Sequence, residues 1–210
     1  MMRRPLIAGV AAAATIGLLV SPGSAPARAT TVVHVSYAPP VVVQNTSFTP
    51  AVYGFRIGNG PTFQFRNTVP QTTTSNQGFW SSPREANGQS YSLVIASAGT
   101  YRYHSATHPT VTGTLNVMPT AAPQALGLWI QWYAYPIPYP SSVHWVGGTG
   151  WAVQYRRHVP GAPWVTWASH AQAVGQYFRP PTHGYYDIRA FTWNGPTVHS
   201  AWSPNLTVYC

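Results

Sequence analysis

Acidic side chains are nearly missing from this 210-residue chain. Glu85 and Asp187 are the only two, against 11 basic residues and a formal charge of +9. Two neighbouring carboxyl groups are the usual equipment for glycoside hydrolysis, and these two fall in different halves of the sequence. Cysteine is missing too, except for Cys210, so no intramolecular disulfide can form and no thiol is placed as a nucleophile. No Gly-x-Ser-x-Gly elbow, His-Glu-x-x-His pair or glycine-rich phosphate loop occurs. Lysine is absent, so every basic residue is arginine. Charged residues make up only 6% of the chain, which leaves Ser, Thr, Asn, Gln and tyrosine hydroxyls to wet the surface. No helical period runs for more than a turn or two, and there is no coiled coil or long repeat. These absences argue against an enzyme.

Short strands and turns are what remain. The 21 prolines and 18 glycines punctuate runs of alternating apolar residues, and the 45% apolar content can fill packed cores. Arg3-Arg4, the apolar run from Leu6 to Val20 and Ala27-Arg28-Ala29 read as a signal peptide over 1–29, cut after Ala29. The apolar run is short for a membrane span. Losing Arg3, Arg4 and Arg28 with the leader lowers the charge from +9 to +6. A basic, exported chain favours acidic partners. Its arginines are scattered, except for Arg156-Arg157, so no basic stripe marks a nucleic-acid site.

The first half, 30–118, is organised around Gly99 to Val117. Tyr101 and Tyr103 alternate with polar neighbours, a loop is expected over Thr107 to Gly113, and Leu115 and Val117 resume the alternation. Upstream, Phe63 and Phe65 precede Asn67, and Pro70-Gln71-Thr72 follows. This pattern resembles the blue-copper cupredoxins from Val41 to Val117. In that family a strand ends in a Cys ligand, a His ligand comes three residues later and often a Met after that, while a first His ligand follows the Asn. Ser105, His108, Val111 and Gln71 stand at those positions here. The resemblance implies a Greek-key sandwich whose type 1 copper site is degenerate, because such a centre needs a thiolate and two imidazoles. His104 and His108, four apart, offer at most a weak adventitious metal site, since lasting sites take three or four ligands.

The residues 119–124, rich in Pro and Ala, read as a linker. Eight of the nine tryptophans lie beyond it. The run GYYDIRAFTW, the Asn194-Gly195 turn and Ser200-Ala201-Trp202-Ser203 resemble a fibronectin type III module over 125–210, with Gly184 where the family often has its corner tyrosine. Period two puts Tyr186, Ile188 and Ala190 inside and Asp187, Arg189 and Phe191 on the other face.

The expected fold is therefore all-β: two antiparallel β-sandwich domains after a signal peptide. The expected function is a secreted, non-enzymatic binding protein without a cofactor. The alternative is an extracellular copper protein, for electron transfer or copper handling, with an atypical ligand set. The partner expected is an extracellular protein or an envelope polymer, acidic in character, and not nucleic acid. Arg156, Arg157, Trp151, Trp164 and Trp167 are the candidate contact residues, because Arg and Trp carry interface hot spots and Trp stacks on sugars. Cys210 would permit a disulfide-linked dimer.

Overall fold

The computed structural model describes residues 40–136 and 140–210, and no helix occurs among them. The expected leader at 1–29 and the lead-in strand before Tyr37 lie outside the described residues. The first half carries β1 (Val41–Val43), β2 (Phe48–Thr49), β3 (Val52–Arg56), β4 (Thr62–Phe65), β5 (Thr74–Ser75), β6 (Ser90–Ile95), β7 (Gly99–Ser105) and β8 (His108–Met118). The second carries β9 (Thr120–Gln124), β10 (Gly127–Gln131), β11 (Val143–Val146), β12 (Gly150–Arg157), β13 (Val165–Ala171), β14 (Gly175–Phe178), β15 (Tyr185–Asn194), β16 (Val198–His199) and β17 (Leu206–Tyr209).

In the first sandwich a sheet of order β11-β6-β4-β1-β2 faces one of order β3-β8-β7-β5. Its core follows from period two. On β7 the side chains of Tyr101, Tyr103 and Ser105 point in; on β8 those of Val111, Leu115 and Val117 do. Phe48 and Phe63 on the opposing sheet meet Tyr103 at ring-centroid distances of 4.7 and 5.4 Å. Burying each such ring contributes roughly 1.5–3 kcal/mol. Gly113 makes room for Tyr103, since a Cβ there would lie 2.3 Å from the ring carbon that bears the hydroxyl.

The second sandwich packs β14-β10-β9 against β13-β12-β15, which β16 and β17 extend along β15. Phe178 of β14 touches Tyr155, Trp167 and Tyr186 of the other sheet. Each sandwich has a tyrosine that ties its own strand entry. Tyr101 Oη donates to the Ser97 carbonyl at 2.8 Å, and Tyr186 Oη donates to the Thr182 carbonyl at 2.9 Å, both four residues upstream. Tyr186, two residues after Gly184, therefore closes this corner.

Four features depart from the reading of the sequence. The segment 119–124 is not free chain, because β9 pairs along its whole length with β10; Pro123 is accommodated on this edge strand. Strand β11 leaves the second half and pairs in parallel with β6, giving that edge a partner. The loop expected over Thr107 to Gly113 shrinks to Ala106 and Thr107, because β8 begins at His108. Not every pair is antiparallel: β1–β4 and β3–β8 are parallel, as crossovers between sheets require.

Candidate functional site

Two polar constellations stand out. The first closes one end of the first sandwich. Strand β7 delivers Ser105, the tight turn delivers Thr107, and β8 opens with His108. The segment after Asn67 delivers Gln71, pinned by backbone hydrogen bonds to Glu85 in both directions at 3.0 and 2.8 Å. Asn67 braces that segment by donating to the carbonyls of Val69 and Glu85. Thr72 Oγ1 accepts from Ala106 N at 2.7 Å and so clamps the turn against it.

Gln71 and Ser105 are fully buried. The amide oxygen of Gln71 accepts from Ser105 Oγ at 2.5 Å and from Thr107 Oγ1 at 2.9 Å. Its nitrogen donates to His108 Nδ1 at 2.8 Å. An amide nitrogen has only hydrogens to offer, so Nδ1 accepts, and the imidazole carries its proton on Nε2. Both ends of a buried amide are thus satisfied, which avoids the 1–3 kcal/mol or so of leaving a polar group unpaired. Val111 is buried in the core cluster. His104 has a separate place: its Nδ1 bonds Asn76 Oδ1 at 2.7 Å, and it shares no partner with His108. Among the described residues, no three His, Cys, Asp or Glu side chains come together as a metal cluster.

The second constellation covers the outer face of the sheet containing β12 and β15. The register sets Arg156 opposite Asp187 and Gln154 opposite Arg189. Asp187 is 2% exposed. Its Oδ2 accepts from Arg156 Nε at 3.1 Å; its Oδ1 is 2.7 Å from His158 Nδ1 and 2.9 Å from Thr207 Oγ1. Burial pushes this carboxyl up, but the hydrogen bonds from Thr207, His158 and Arg156 outweigh it and hold it below the usual range. Beside the pair runs a ladder of cations and rings. Arg156 lies 4.6 Å from the Trp164 ring centroid, Arg189 lies 3.9 Å from the same ring, and Arg189 also lies 4.6 Å from the Trp202 ring. Phe191 then links Trp202 to Trp193, on which His170 stacks at 4.6 Å. Burial, with the neighbouring Arg156 charge, lowers Arg189 below the usual guanidinium value.

The residues singled out from sequence divide sharply. Arg156 and Trp164 belong to the ladder. Arg157 is exposed one strand position further on, on the sandwich end. Trp151 is only 5% exposed and serves the interior, with its indole on Tyr133 and its Nε1 on Ser97 Oγ. Trp167 is half-buried between Trp132 and Phe178. Arg189 and Trp202 belong to the ladder but were not among the candidate contact residues. Two serines place Trp202: Ser200 Oγ accepts from Thr192 N and Ser203 Oγ from Ala190 N, both at 3.1 Å. The signal was present in Ser200-Ala201-Trp202-Ser203, since two serines three apart can zip one segment onto β15 and turn the Trp between them outward.

The sheets and these sites define an all-β protein with two sandwiches. The chain matches no known family profile, and no curated protein matches it. Partial likenesses to solved structures are found. A purple cupredoxin from Nitrosopumilus maritimus is 19% identical, over 37% of this chain and 98% of its own, at a TM-score of 0.33. The Cu(I) form of the M51A mutant of amicyanin is 25% identical, over 38% of this chain and 83% of its own, at 0.35. A copper-containing nitrite reductase from Thermus scotoductus SA-01 is 22% identical, over 37% of this chain and 22% of its own, at 0.34.

Proposed function

We propose that this chain is an exported, non-enzymatic binding protein. In this reading its first half is a cupredoxin-type scaffold that has given up type 1 copper, and its second half, of fibronectin type III kind, carries the contact face. The observation behind it is the Gln71 amide. Gln71 lies between Ser105 and His108, the residues at two of the family's ligand positions, and its nitrogen donates to the one imidazole nitrogen that faces them. A type 1 centre takes a thiolate and two imidazoles. These residues offer one imidazole with Nδ1 engaged, an amide and two hydroxyls, so they do not fit type 1 copper. A neutral, mutually satisfied network is a structural plug.

The second half supports a contact role through the Arg–Trp ladder, which suits an acidic polymer: the guanidiniums supply charge and the rings supply flat apolar area. The sandwich of β9, β10 and β14 against β12, β13, β15 and β17, with its tyrosine corner, supports the fibronectin type III reading.

Titration of the purified protein with Cu(II) tests this. The expected result is no stoichiometric binding and no intense visible absorption of a Cu–thiolate bond, with such a band appearing only in a Gln71→His/Ser105→Cys/Val111→Met variant. One equivalent of tightly bound copper on the unaltered chain would sink the proposal.

A further inference from the structure

At one end of the second sandwich an open groove of about 490 Å3 runs between the β12–β13 hairpin and the segment that leads into β15. This volume lies within the range of roughly 300–1,000 Å3 typical of small-molecule sites. Three of its walls are Pro160, Pro163 and Pro181, which present apolar rings and have no backbone N–H to offer. Its inner side includes Tyr155 and Tyr186. The Tyr186 hydroxyl is already engaged by Thr182, so that residue offers its ring and not its polar tip. Val159 and Val165 line the groove while remaining 51% and 44% exposed. Apolar surface left in water in a concave site marks a place where a ligand gains by burial.

The charged side chains that line the groove, Arg156 and Arg157, are of one sign. Asp187, the nearby carboxylate, has both oxygens occupied by Arg156, His158 and Thr207. Glu85, the only other acidic side chain, forms no ion pair among the described residues. Arg157, which lines the groove, has no carboxylate partner among the described residues. Its guanidinium rests against the backbone of Gly184, where a Cβ would lie 3.0 Å from Nη2, and it reaches only the His183 carbonyl, at a long 3.5 Å.

We propose that this groove binds a small apolar carboxylate, the hydrocarbon lying between the prolines and tyrosines and the acid group paired with Arg157. A guanidinium fork matches a carboxylate in two parallel hydrogen bonds. A cationic amphiphile meets Arg156 and Arg157, and a neutral one leaves Arg157 unpaired. The site deepens the binding reading by naming a ligand class for the second half, and it is independent of copper.

The test titrates the full chain with octanoate, octan-1-ol and octyltrimethylammonium, all below their aggregation limits, by calorimetry. Octanoate is expected to bind at one site, octanol more weakly, and the cation not at all. Arg157→Gln should weaken octanoate about tenfold or more, the worth of charged hydrogen bonds, and leave octanol unchanged. Ala162→Phe, which fills the groove from the hairpin, should abolish both while the melting temperature stays that of the unaltered chain. Equal binding of octanoate and octanol, an Arg157→Gln variant with undiminished octanoate affinity, binding that survives Ala162→Phe, or no saturable binding would overturn the proposal. Loss of this site with copper still excluded would leave the Gln71 reading standing, so the two failures are distinguishable.

Discussion

The indole N–H of Trp151, in the second half, donates to Ser97 Oγ, in the first, at 3.3 Å. The same oxygen accepts from the backbone N–H of Gly148 at 3.1 Å. Ser97 is wholly buried, so Ser97→Ala orphans two donors and should cost about 2 kcal/mol. The consequence reaches further, because β11 pairs with β6, and Thr100 and Ala201 exchange backbone hydrogen bonds at 2.9 and 3.0 Å. The halves should unfold together. Hydrogen exchange should give the slowest amides of β6 and β15 one opening free energy, lowered equally by Ser97→Ala. Two separate values, only one of them shifted, would refute this coupling.

Gly113 offers a local test of the packing. A methyl group there would strike the Tyr103 ring, and that ring is fully buried beside Phe48, Phe63 and Trp80. Overpacking of this kind costs about 1–3 kcal/mol. Gly88 is the control: its φ is +84°, but nothing lies within 4 Å of the added carbon. We expect Gly113→Ala to lower the denaturation midpoint more than Gly88→Ala. The reverse order would mean that Tyr103 can yield.

The alternation that exposes these positions was legible in the sequence. Tyr101, Tyr103, Leu115 and Val117 are all buried, and so are Tyr186, Ile188 and Ala190. Such assignments succeed because period two is local. Gln71, Ser105 and His108 also come together, although the first lies 34 residues from the second, a contact that no local period encodes. What failed was anything set by competition for an edge. The run Val-His-Trp-Val at β11 looks like any short strand, and nothing in it says which sheet has an edge to fill. The linker reading failed for the same reason, because Pro and Ala residues are tolerated once β10 supplies a partner. Asp187 falls on the outer face as its alternation requires, yet it is buried; Arg156 and His158 at the end of β12, with Thr207 on β17, satisfy it there.

Asp187 should therefore make stability depend on acid. Its folded carboxyl is held below the ordinary value, near 3.9 for an unfolded aspartate. A group depressed in this way contributes stability that is fully present above the unfolded value. That contribution is lost as pH falls through the folded one. Asp187→Asn should destabilise the protein by about 2 kcal/mol at pH 7, the scale of hydrogen bonds to a charged group. The gap to the unaltered chain should narrow below about pH 4. Urea midpoints at pH 7 and at pH 3 would show it, and a gap that stays constant across that range would contradict the assignment.

The Arg–Trp ladder connects stability with binding. Two guanidiniums, those of Arg156 and Arg189, lie 4.6 and 3.9 Å from the Trp164 ring centroid. Each such contact is worth about 0.5–1 kcal/mol where exposed, so Trp164→Ala should cost about 1–2 kcal/mol and release both arginines from a fixed direction. Arg189→Gln removes one charge and keeps a group able to bond Gln154, which now accepts from Arg189 Nη2 at 2.7 Å. If the ladder is the face that meets an acidic polymer, the full chain should bind polygalacturonate in a salt-weakened manner. Arg189→Gln and Trp164→Ala should both reduce that binding, and each, losing two cation–π contacts, should cost about 1–2 kcal/mol of stability. Binding that ignores both substitutions, or that grows with salt, would move the contact face elsewhere on the molecule. The ladder would then be left as a device that covers the outer side of β12 and β15.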